Sequence, residues 1–376
     1  MSELGGGSGA SRAAAPLVQR ILHLDVPLLS SLLLLAGGSL LLLYSATNES
    51  MAAVRGQAIR LGVAFAAMVF MAQIPPETLR RWTLPVYLAG LGMLLLVFAV
   101  GTSAQGAQRW LDLGVARFQP AELMKIAVPM AVAWCVARRP LPPSLLTVSM
   151  AAGLVVAPTV LVAMQPDLGT ALLLGAAGFF ALFLAGIRWR LMLSAGAVVA
   201  ACAPAYWIFV MPGYQKQRVL TLFNPQSDPL GTGYHIIQST IAIGSGGVFG
   251  KGWLNGTQTH LDFLPEANTD FIFAVLAEEF GLVGVLHLLA LYLFIVGRGL
   301  YIAIQAQDSY SRVVAGSLTL TFFIYVFVNI GMVSGLLPVV GLPLPLVSFG
   351  GSSMVTLMAA FGILMSIRTH RKLWAS

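Results

Sequence analysis

The sequence predicts an all-α polytopic membrane protein with about ten transmembrane helices. Of its 376 residues, 58% are hydrophobic and 9% are charged, whereas a soluble domain carries roughly 25% charged residues. Apolar runs of about 20 residues, the length that crosses ~30 Å of hydrocarbon, recur along the chain. Because lipid offers no partners to backbone polar groups, runs this long predict a helical bundle and not a barrel.

Ten such runs follow one another, and they are separated by two external segments and by short connections. The larger external segment covers residues 211–270, between the seventh and eighth runs, and the smaller covers residues 102–118. Cys135 and Cys202 fall within runs, so neither a disulfide framework nor a cysteine metal site is indicated. The predicted spans are residues 26–46, 57–75, 83–101, 119–136, 145–164, 168–186, 190–210, 271–297, 314–335 and 349–367.

The orientation follows from Lys and Arg residues in the short connections, which favour the cytoplasm. Placing both termini inside puts thirteen of the 21 basic residues on the cytoplasmic side, so the net charge of +7 mostly reflects topology and does not indicate nucleic acid. Residues 1–20 are small and rich in Gly, Ser and Ala, which predicts a disordered cytoplasmic tail. Residues 21–376 then form a single transmembrane domain.

An acidic segment at the start of the eighth span concentrates five carboxylates within residues 261–279. Asp270 stands where the apolar run begins, so it either caps the helix or interacts with its dipole, or acts as a general base whose pKa is raised by partial desolvation. Glu278 and Glu279 would lie ~12 Å inside the helix, where they must face protein, water or a partner. Their position favours the second interpretation. Asp262 and Glu266 lie in the preceding loop.

The fourth span supplies a buried cation. Glu122 and Lys125 are three residues apart in FQPAELMKIAV and therefore share a helix face. They either form a structural ion pair, or Lys125 meets a substrate phosphate or orients Asp270. We assign Lys125 as the only Lys or Arg inside any span.

Three other polar groups are candidates at the external surface. Arg109 and Trp110 precede the fourth span and are either interface anchors or, with a second arginine, a clamp for a pyrophosphate. Asp167, in MQPDLGTA, either caps the sixth span or joins Asp270 in a polar cavity and coordinates a cation or substrate.

The remaining external segments are rich in Gly and Pro. The run IAIGSGGVFGKG is not a P-loop, because no strand precedes it and Lys251 is followed by Gly; a flexible or close-packed loop is expected. Upstream, YHIIQSTIAIG is amphipathic, and Gln238 lies either near a cavity or on the surface. In GLLPVVGLPLPLVSFGGSS three prolines prevent a regular helix, so this backbone must be buried or line a cavity, which Ser348 could shape.

Five motifs in this order resemble the SEDS family (shape, elongation, division and sporulation). They are FQPAELMK, QPDLGTA, GSGGVFGKG, LPEANTDFIFAVLAEEFG and GLPLPLVSFGGSS, and the resemblance runs from about residue 26 to 370. The turn VVGLPLPL is similar to that of the elongation branch, RodA.

The resemblance implies a peptidoglycan glycosyltransferase that polymerises lipid II at the outer face of the bacterial cytoplasmic (inner) membrane during cell elongation. It implies that Asp270 is the base, with Glu122 and Lys125 as its cavity partners and Asp167 as a supporting or cation-binding group. The expected substrate contacts are Arg109, Trp110, Lys251, Asp262, Glu266, Gln238 and Ser348.

No cofactor is indicated with certainty; a divalent cation, Mg²⁺ or Mn²⁺, could bridge carboxylate and pyrophosphate. The resemblance also implies a class B penicillin-binding protein, a transpeptidase, as the partner. One alternative is a flippase for lipid II, which would use the intramembrane charges as a polar path. It is disfavoured because most buried charge is predicted in the outer half of the membrane. A structural scaffold, the third possibility, leaves the charged cavity without a use.

Overall fold

The computed structural model describes residues 22–104, 107–112, 114, 117–138, 143–228, 231–261, 263–264 and 266–370. The predicted tail, residues 1–20, and Asp262 lie outside this part of the chain. The helices are α1 (Val26–Ala46), α2 (Met51–Gln73), α3 (Pro76–Val100), α4 (Pro120–Val136), α5 (Leu145–Met164), α6 (Leu168–Leu184), α7 (Trp189–Ala205), α8 (Gly213–Phe223), α9 (Thr232–Ser245), α10 (Thr257–His260), α11 (Ile272–Ile304), α12 (Ser309–Val333) and α13 (Ser352–Thr369).

The prediction of a helical membrane protein is confirmed. Within the described residues, eight helices are long and apolar enough to cross a membrane. Each of the ten predicted runs coincides with a helix, and the two runs that fall short of this criterion are α4 and α6, which have 17 residues each. The number of spans therefore stays a prediction.

Several helices are longer than the apolar runs from which they were predicted. Helix α2 begins at Met51, six residues before the predicted start, because the Ser50 side chain caps it by accepting from the Ala53 N–H at 3.4 Å. The first three turns of α2 carry Arg55 and Arg60, and these two charged residues lower the hydropathy of this part of the chain. Since Arg60 lies within α2, the assignment of Lys125 as the only basic residue inside a span was wrong. The Arg60 guanidinium stacks on the Phe349 ring at 4.1 Å.

Helix α4 is the centre of the bundle. It packs against α3, α5, α6 and α12, and all but two of its residues are buried. In contrast, none of the residues of α7 is buried, so this helix presents its whole circumference to the surroundings, as a helix at the edge of a bundle in lipid does.

The two long connections carry structure that the sequence analysis indicated only at the amphipathic segment YHIIQSTIAIG. The smaller one holds a three-stranded antiparallel ribbon of β1 (Thr102–Ala104), β2 (Ala107–Asp112) and β3 (Arg117–Phe118), in the order β1-β2-β3. The larger one holds α8, α9 and α10. The ribbon lies beside α3 and α4, and α9 packs against α11.

Helix α11 is broken at Gly281, whose φ of 62° and ψ of −160° are not helical. The Gly-rich run supplies the backbone hydrogen bonds that the break releases. The N–H groups of Lys251 and Gly252 donate to the carbonyls of Glu278 (3.0 Å) and Glu279 (2.9 Å). At Gly250, which has a φ of 77°, a Cβ atom would lie 2.1 Å from the Glu279 carbonyl oxygen. The Gly-rich loop after α9 is therefore close-packed, which is one of the two possibilities, flexible or close-packed, that the sequence left open.

Candidate active site

A cavity of about 990 Å³ opens between the ribbon, α8, α9 and the turn that precedes α11. It brings together groups that are far apart in the sequence. Its ionisable and aromatic lining includes Arg109, Trp110, Asp167, Tyr214, Arg218, His235, Glu266, Asp270 and Phe349. Five of the predicted site residues therefore share one cavity: Arg109, Trp110, Asp167, Glu266 and Asp270.

Asp270 lies at the end of a turn and does not cap the helix that follows. The N-cap residue of α11 is Phe271, and no side chain makes a capping hydrogen bond there. Burial raises the pKa of Asp270 to about 6; the neighbouring Glu266 carboxylate also raises it, and Arg218 opposes the rise. A carboxyl group with a pKa near the working pH is suited to accept a proton during a reaction.

The backbone around Asp270 is held by α12 and by the Pro-rich turn. The Asn329 side-chain amide donates to the carbonyl of Asp270 at 3.0 Å and to that of Leu342 at 2.6 Å. Gly341 of the Pro-rich turn lies next to the Asp270 side chain. A Cβ atom at Gly341 would lie 3.5 Å from Asp270 Oδ2, and the φ of 73° at this position favours glycine. The carboxylate therefore lies against backbone.

Asp167 is both a helix cap and a cavity residue. It is the N-cap of α6 and accepts from the Thr170 N–H at 3.1 Å and the Thr170 hydroxyl at 2.9 Å. It also accepts from the Gln119 amide at 3.0 Å and forms an ion pair with Arg109 at 3.2 Å. Because four donors already meet this carboxylate, its main effect is to hold Arg109 at the cavity wall. Its role as a cation ligand stays a prediction.

Glu122 and Lys125 form a buried ion pair at 2.8 Å on α4. The Thr356 hydroxyl of α13 donates to the second Glu122 oxygen at 2.9 Å, and Lys125 Nζ lies 4.8 Å from the centre of the Tyr325 ring. Neither residue lines the cavity. Tyr325 interacts electrostatically with this pair and also with Asp167 and Asp270, and so connects the pair to the cavity residues.

Three other predicted substrate contacts lie outside the cavity lining. Lys251 pairs with Glu278 at 2.6 Å, and Gln238 lies partly buried on α9. Ser348 is buried and holds two loops together, because its hydroxyl donates to the Thr269 carbonyl and accepts from the Leu344 N–H at 2.7 Å. It thereby supports the turn that carries Asp270.

Sequence reasoning missed two cavity residues and one that anchors the wall. Arg218 lies on α8, in a segment that was treated as loop. His235, on α9, stacks on Phe271 with ring centres 5.5 Å apart, and burial lowers its pKa. Asn329 could have been found, since an amide inside an apolar span needs a partner.

The described side chains at the cavity do not form a complete metal site. No three His, Cys, Asp or Glu residues within the described ranges are placed to hold a metal ion. Mg²⁺ can be bound by one or two carboxylates together with substrate phosphates, and Glu266, which lines the cavity, fits that smaller donor set.

Comparison with known proteins gives a consistent set of relatives. Residues 20–373 match the model of a cell cycle protein family that groups FtsW, RodA and SpoVE. Peptidoglycan glycosyltransferase MrdB of Escherichia coli K12 is 55% identical over 351 residues, which cover 93% of this chain and 95% of the relative. A probable peptidoglycan glycosyltransferase FtsW of Geobacter metallireducens is 39% identical over 82% of each chain.

Solved structures show the same fold. A chain from a structure on the structural coordination of polymerization and crosslinking by a peptidoglycan synthase complex has a TM-score of 0.81 and 33% identity, and the match covers 93% of this chain and 99% of that one. The rod shape determining protein RodA of Thermus thermophilus has a TM-score of 0.72 and 27% identity, with coverage of 94% and 100%.

Proposed function

Since the chain belongs to the FtsW, RodA and SpoVE family and is a peptidoglycan glycosyltransferase, we propose that it polymerises lipid II in the cavity and that Asp270 is the general base. The acceptor hydroxyl oxygen attacks the anomeric carbon of the donor sugar. The bond from that carbon to the undecaprenyl pyrophosphate breaks, and the hydroxyl proton passes to Asp270. The observation that carries this proposal is a carboxyl group that lines the cavity, makes no capping bond and has a pKa raised to about 6.

The departing pyrophosphate needs positive charge, and two arginines that both precede Asp270 in the sequence line the same cavity. Arg109 is oriented by its ion pair with Asp167. Arg218 lies close enough to Asp270 to affect its pKa. We assign both guanidinium groups to the pyrophosphate, because planar guanidinium groups match phosphate oxygens in bidentate geometry. A divalent cation, Mg²⁺ or Mn²⁺, would be held by Glu266 together with substrate phosphates and would supply positive charge to the pyrophosphate.

Glu122 and Lys125 act from beneath the cavity. Their ion pair is buried between α4 and α13, and Lys125 lies over the Tyr325 ring, so we assign the pair to the support of the cavity and not to contact with the sugar. Trp110 and Glu266 line the cavity and serve as substrate contacts in this proposal.

The membrane placement and the partner belong to the same proposal. Both termini are cytoplasmic and the cavity faces the outside of the bacterial cytoplasmic membrane, as the distribution of Lys and Arg predicts. A class B penicillin-binding protein is the partner; support comes from the similarity to a chain of a peptidoglycan synthase complex.

The test compares wild type, Asp270→Asn and Glu49→Gln, each purified with the partner and supplied with labelled lipid II. Glu49 is an exposed carboxylate in the turn between α1 and α2, which makes it a matched control. We expect glycan polymer from wild type and Glu49→Gln and none from Asp270→Asn at equal folded yield. Normal polymer from Asp270→Asn would remove Asp270 from the mechanism.

A further inference from the structure

Two carboxylates that the mechanism does not use are completely buried on α11. Glu278 and Glu279 have 0% exposure and lie eight and nine residues after Asp270. Burying an ionised carboxylate is costly unless it is paired and hydrogen-bonded. Their contacts therefore indicate what these two residues do.

Glu278 is held by the external segment. Its Oε1 atom accepts from Lys251 Nζ at 2.6 Å, the Thr257 hydroxyl at 3.0 Å and the Gln258 N–H at 3.1 Å. Three donors on one oxygen, one of them charged, make a directional attachment, because charge-assisted hydrogen bonds are roughly twice as strong as neutral ones.

Glu279 is held by a different element. The Ser45 hydroxyl of α1 donates to its Oε1 atom, and His260 Nε2 lies 4.0 Å from the same atom. The loop backbone covers both carboxylates at Gly256, where a Cβ atom would lie 3.1 Å from Glu278 Oε2 and 3.3 Å from Glu279 Oε1. The two glutamates thus attach α11 to α1 and to the external segment at one point.

The part of α11 between Asp270 and this point is a separate unit. This part ends at the break at Gly281, and its carbonyls at Glu278 and Glu279 accept hydrogen bonds from the N–H groups of Lys251 and Gly252. The remaining segment, residues 272–280, has Asp270 immediately before one end and the glutamates at the other, ~12 Å away at 1.5 Å per residue. Ile272 and Val275 are fully buried, but apolar packing is non-directional and does not by itself fix the rotation of this short segment.

The contacts of this cluster indicate an anchor and not a metal site. Lys251 forms an ion pair with Glu278 at 2.6 Å, and among the described residues no three His, Cys, Asp or Glu side chains are placed to hold a metal ion. A buried ion pair contributes little net stability compared with apolar packing, and its best attested use is to specify one arrangement.

We propose that Glu278 and Glu279 are positioning residues for glycosyl transfer: through Lys251 and Ser45 they fix the rotation and depth of residues 272–280 and thereby place Asp270 in the cavity. This inference rests on the proposed role of Asp270 as base. It also reassigns Lys251 from the substrate to Glu278.

The test measures folded yield, kcat, KM and the pH dependence of kcat/KM for Glu278→Gln, Lys251→Met and the charge exchange Lys251→Glu with Glu278→Lys, with Glu49→Gln as control. We expect Glu278→Gln and Lys251→Met each to lower kcat roughly 10- to 100-fold, since a misplacement of about 1 Å has that effect, with little change in KM. The acid limb of kcat/KM, which reports the substrate-free enzyme, should move below its wild-type position near pH 6, because a displaced Asp270 loses burial. The charge exchange should restore part of kcat.

Three results would overturn this inference. One is a wild-type kcat and acid limb in Glu278→Gln. Another is a loss of folded yield alone, with unchanged kcat per folded molecule, which would make the cluster merely structural. The third is a rise in KM in Lys251→Met that Glu278→Gln does not share, which would indicate that Lys251 contacts the substrate. Failure of the proposed function is separate, since it would show as normal polymerisation by Asp270→Asn.

Discussion

Replacing Asp270 by Asn should stabilise the protein while it removes activity. The pKa of Asp270 is raised from 3.8 to about 6 by burial, so the folded state binds its proton more tightly than the unfolded chain does. Below pH ~4 the group is protonated in both states and its ionisation has no effect on stability. Above pH ~6 the folded state carries the full cost of a buried carboxylate, which is about 3 kcal/mol for this rise in pKa.

Asparagine resembles the protonated carboxyl group and avoids this cost at every pH. We therefore expect Asp270→Asn to exceed wild type in the free energy of unfolding by about 1 kcal/mol at pH ~4.5 and about 3 kcal/mol at pH ~7.5. For a chain of 376 residues the larger value corresponds to a rise in Tm of roughly 4 °C.

The assay is thermal unfolding in detergent, followed by tryptophan fluorescence across this pH range, with Glu49→Gln as the exposed-carboxylate control. The control should track wild type, because its carboxylate is exposed. A gain in Tm for Asp270→Asn that is equal at both pH values would refute the reasoning, since the effect would then not arise from ionisation. A loss of Tm at neutral pH would show that Asp270 forms a stabilising contact that its burial does not reveal.

Three further predictions concern the cavity and its support. Arg218→Gln should move the acid limb of kcat/KM, which reports the substrate-free enzyme, above pH ~6, because Arg218 lowers the pKa of Asp270; an unchanged pH–rate profile would contradict this. Asn329→Ala should lower Tm and kcat together, since two buried carbonyls lose their donor at a cost of about 1–3 kcal/mol each, and differential scanning measurements with lipid II turnover would check it. Gly250→Ala should reduce folded yield, because a Cβ atom at this position would lie 2.1 Å from a carbonyl oxygen of α11 and because the φ of Gly250 is 77°. The control Gly244→Ala should fold normally, since a Cβ atom there has no neighbour within 4 Å.

The helices were predictable because the apolar runs are long and lipid requires helices. What the runs did not show were the polar ends of the helices. Arg55 belongs to a continuous helix that Ser50 caps, yet it lies before the apolar run, and hydropathy assigns it to a loop. The ribbon, α8 and α10 escaped prediction because external segments bury too little apolar surface to produce a clear periodic pattern, whereas α9 coincides with the segment that was recognised as amphipathic.

The site was predictable where an ionisable residue adjoined a span. Asp167 and Asp270 fit that description and share the cavity, as predicted. Arg218 did not, because its segment showed no apolar run and the fold alone brings it to Asp270. Arg60 was missed for the opposite reason: it lies inside a span, and only the structure reveals that Phe349 covers its guanidinium.

The two aspartates show why position alone does not identify a catalytic group. Both precede a transmembrane helix, and the sequence allowed each to be either a cap or a reactive carboxylate. Asp167 meets four donors, which is the arrangement of a satisfied structural anion. Asp270 makes no capping bond and keeps a raised pKa at the cavity wall. A carboxylate whose burial is not compensated by hydrogen bonds costs stability, and such a cost is expected where the group takes part in a reaction. The difference between the two is therefore one of hydrogen-bond satisfaction, which depends on tertiary contacts and cannot be obtained from local sequence.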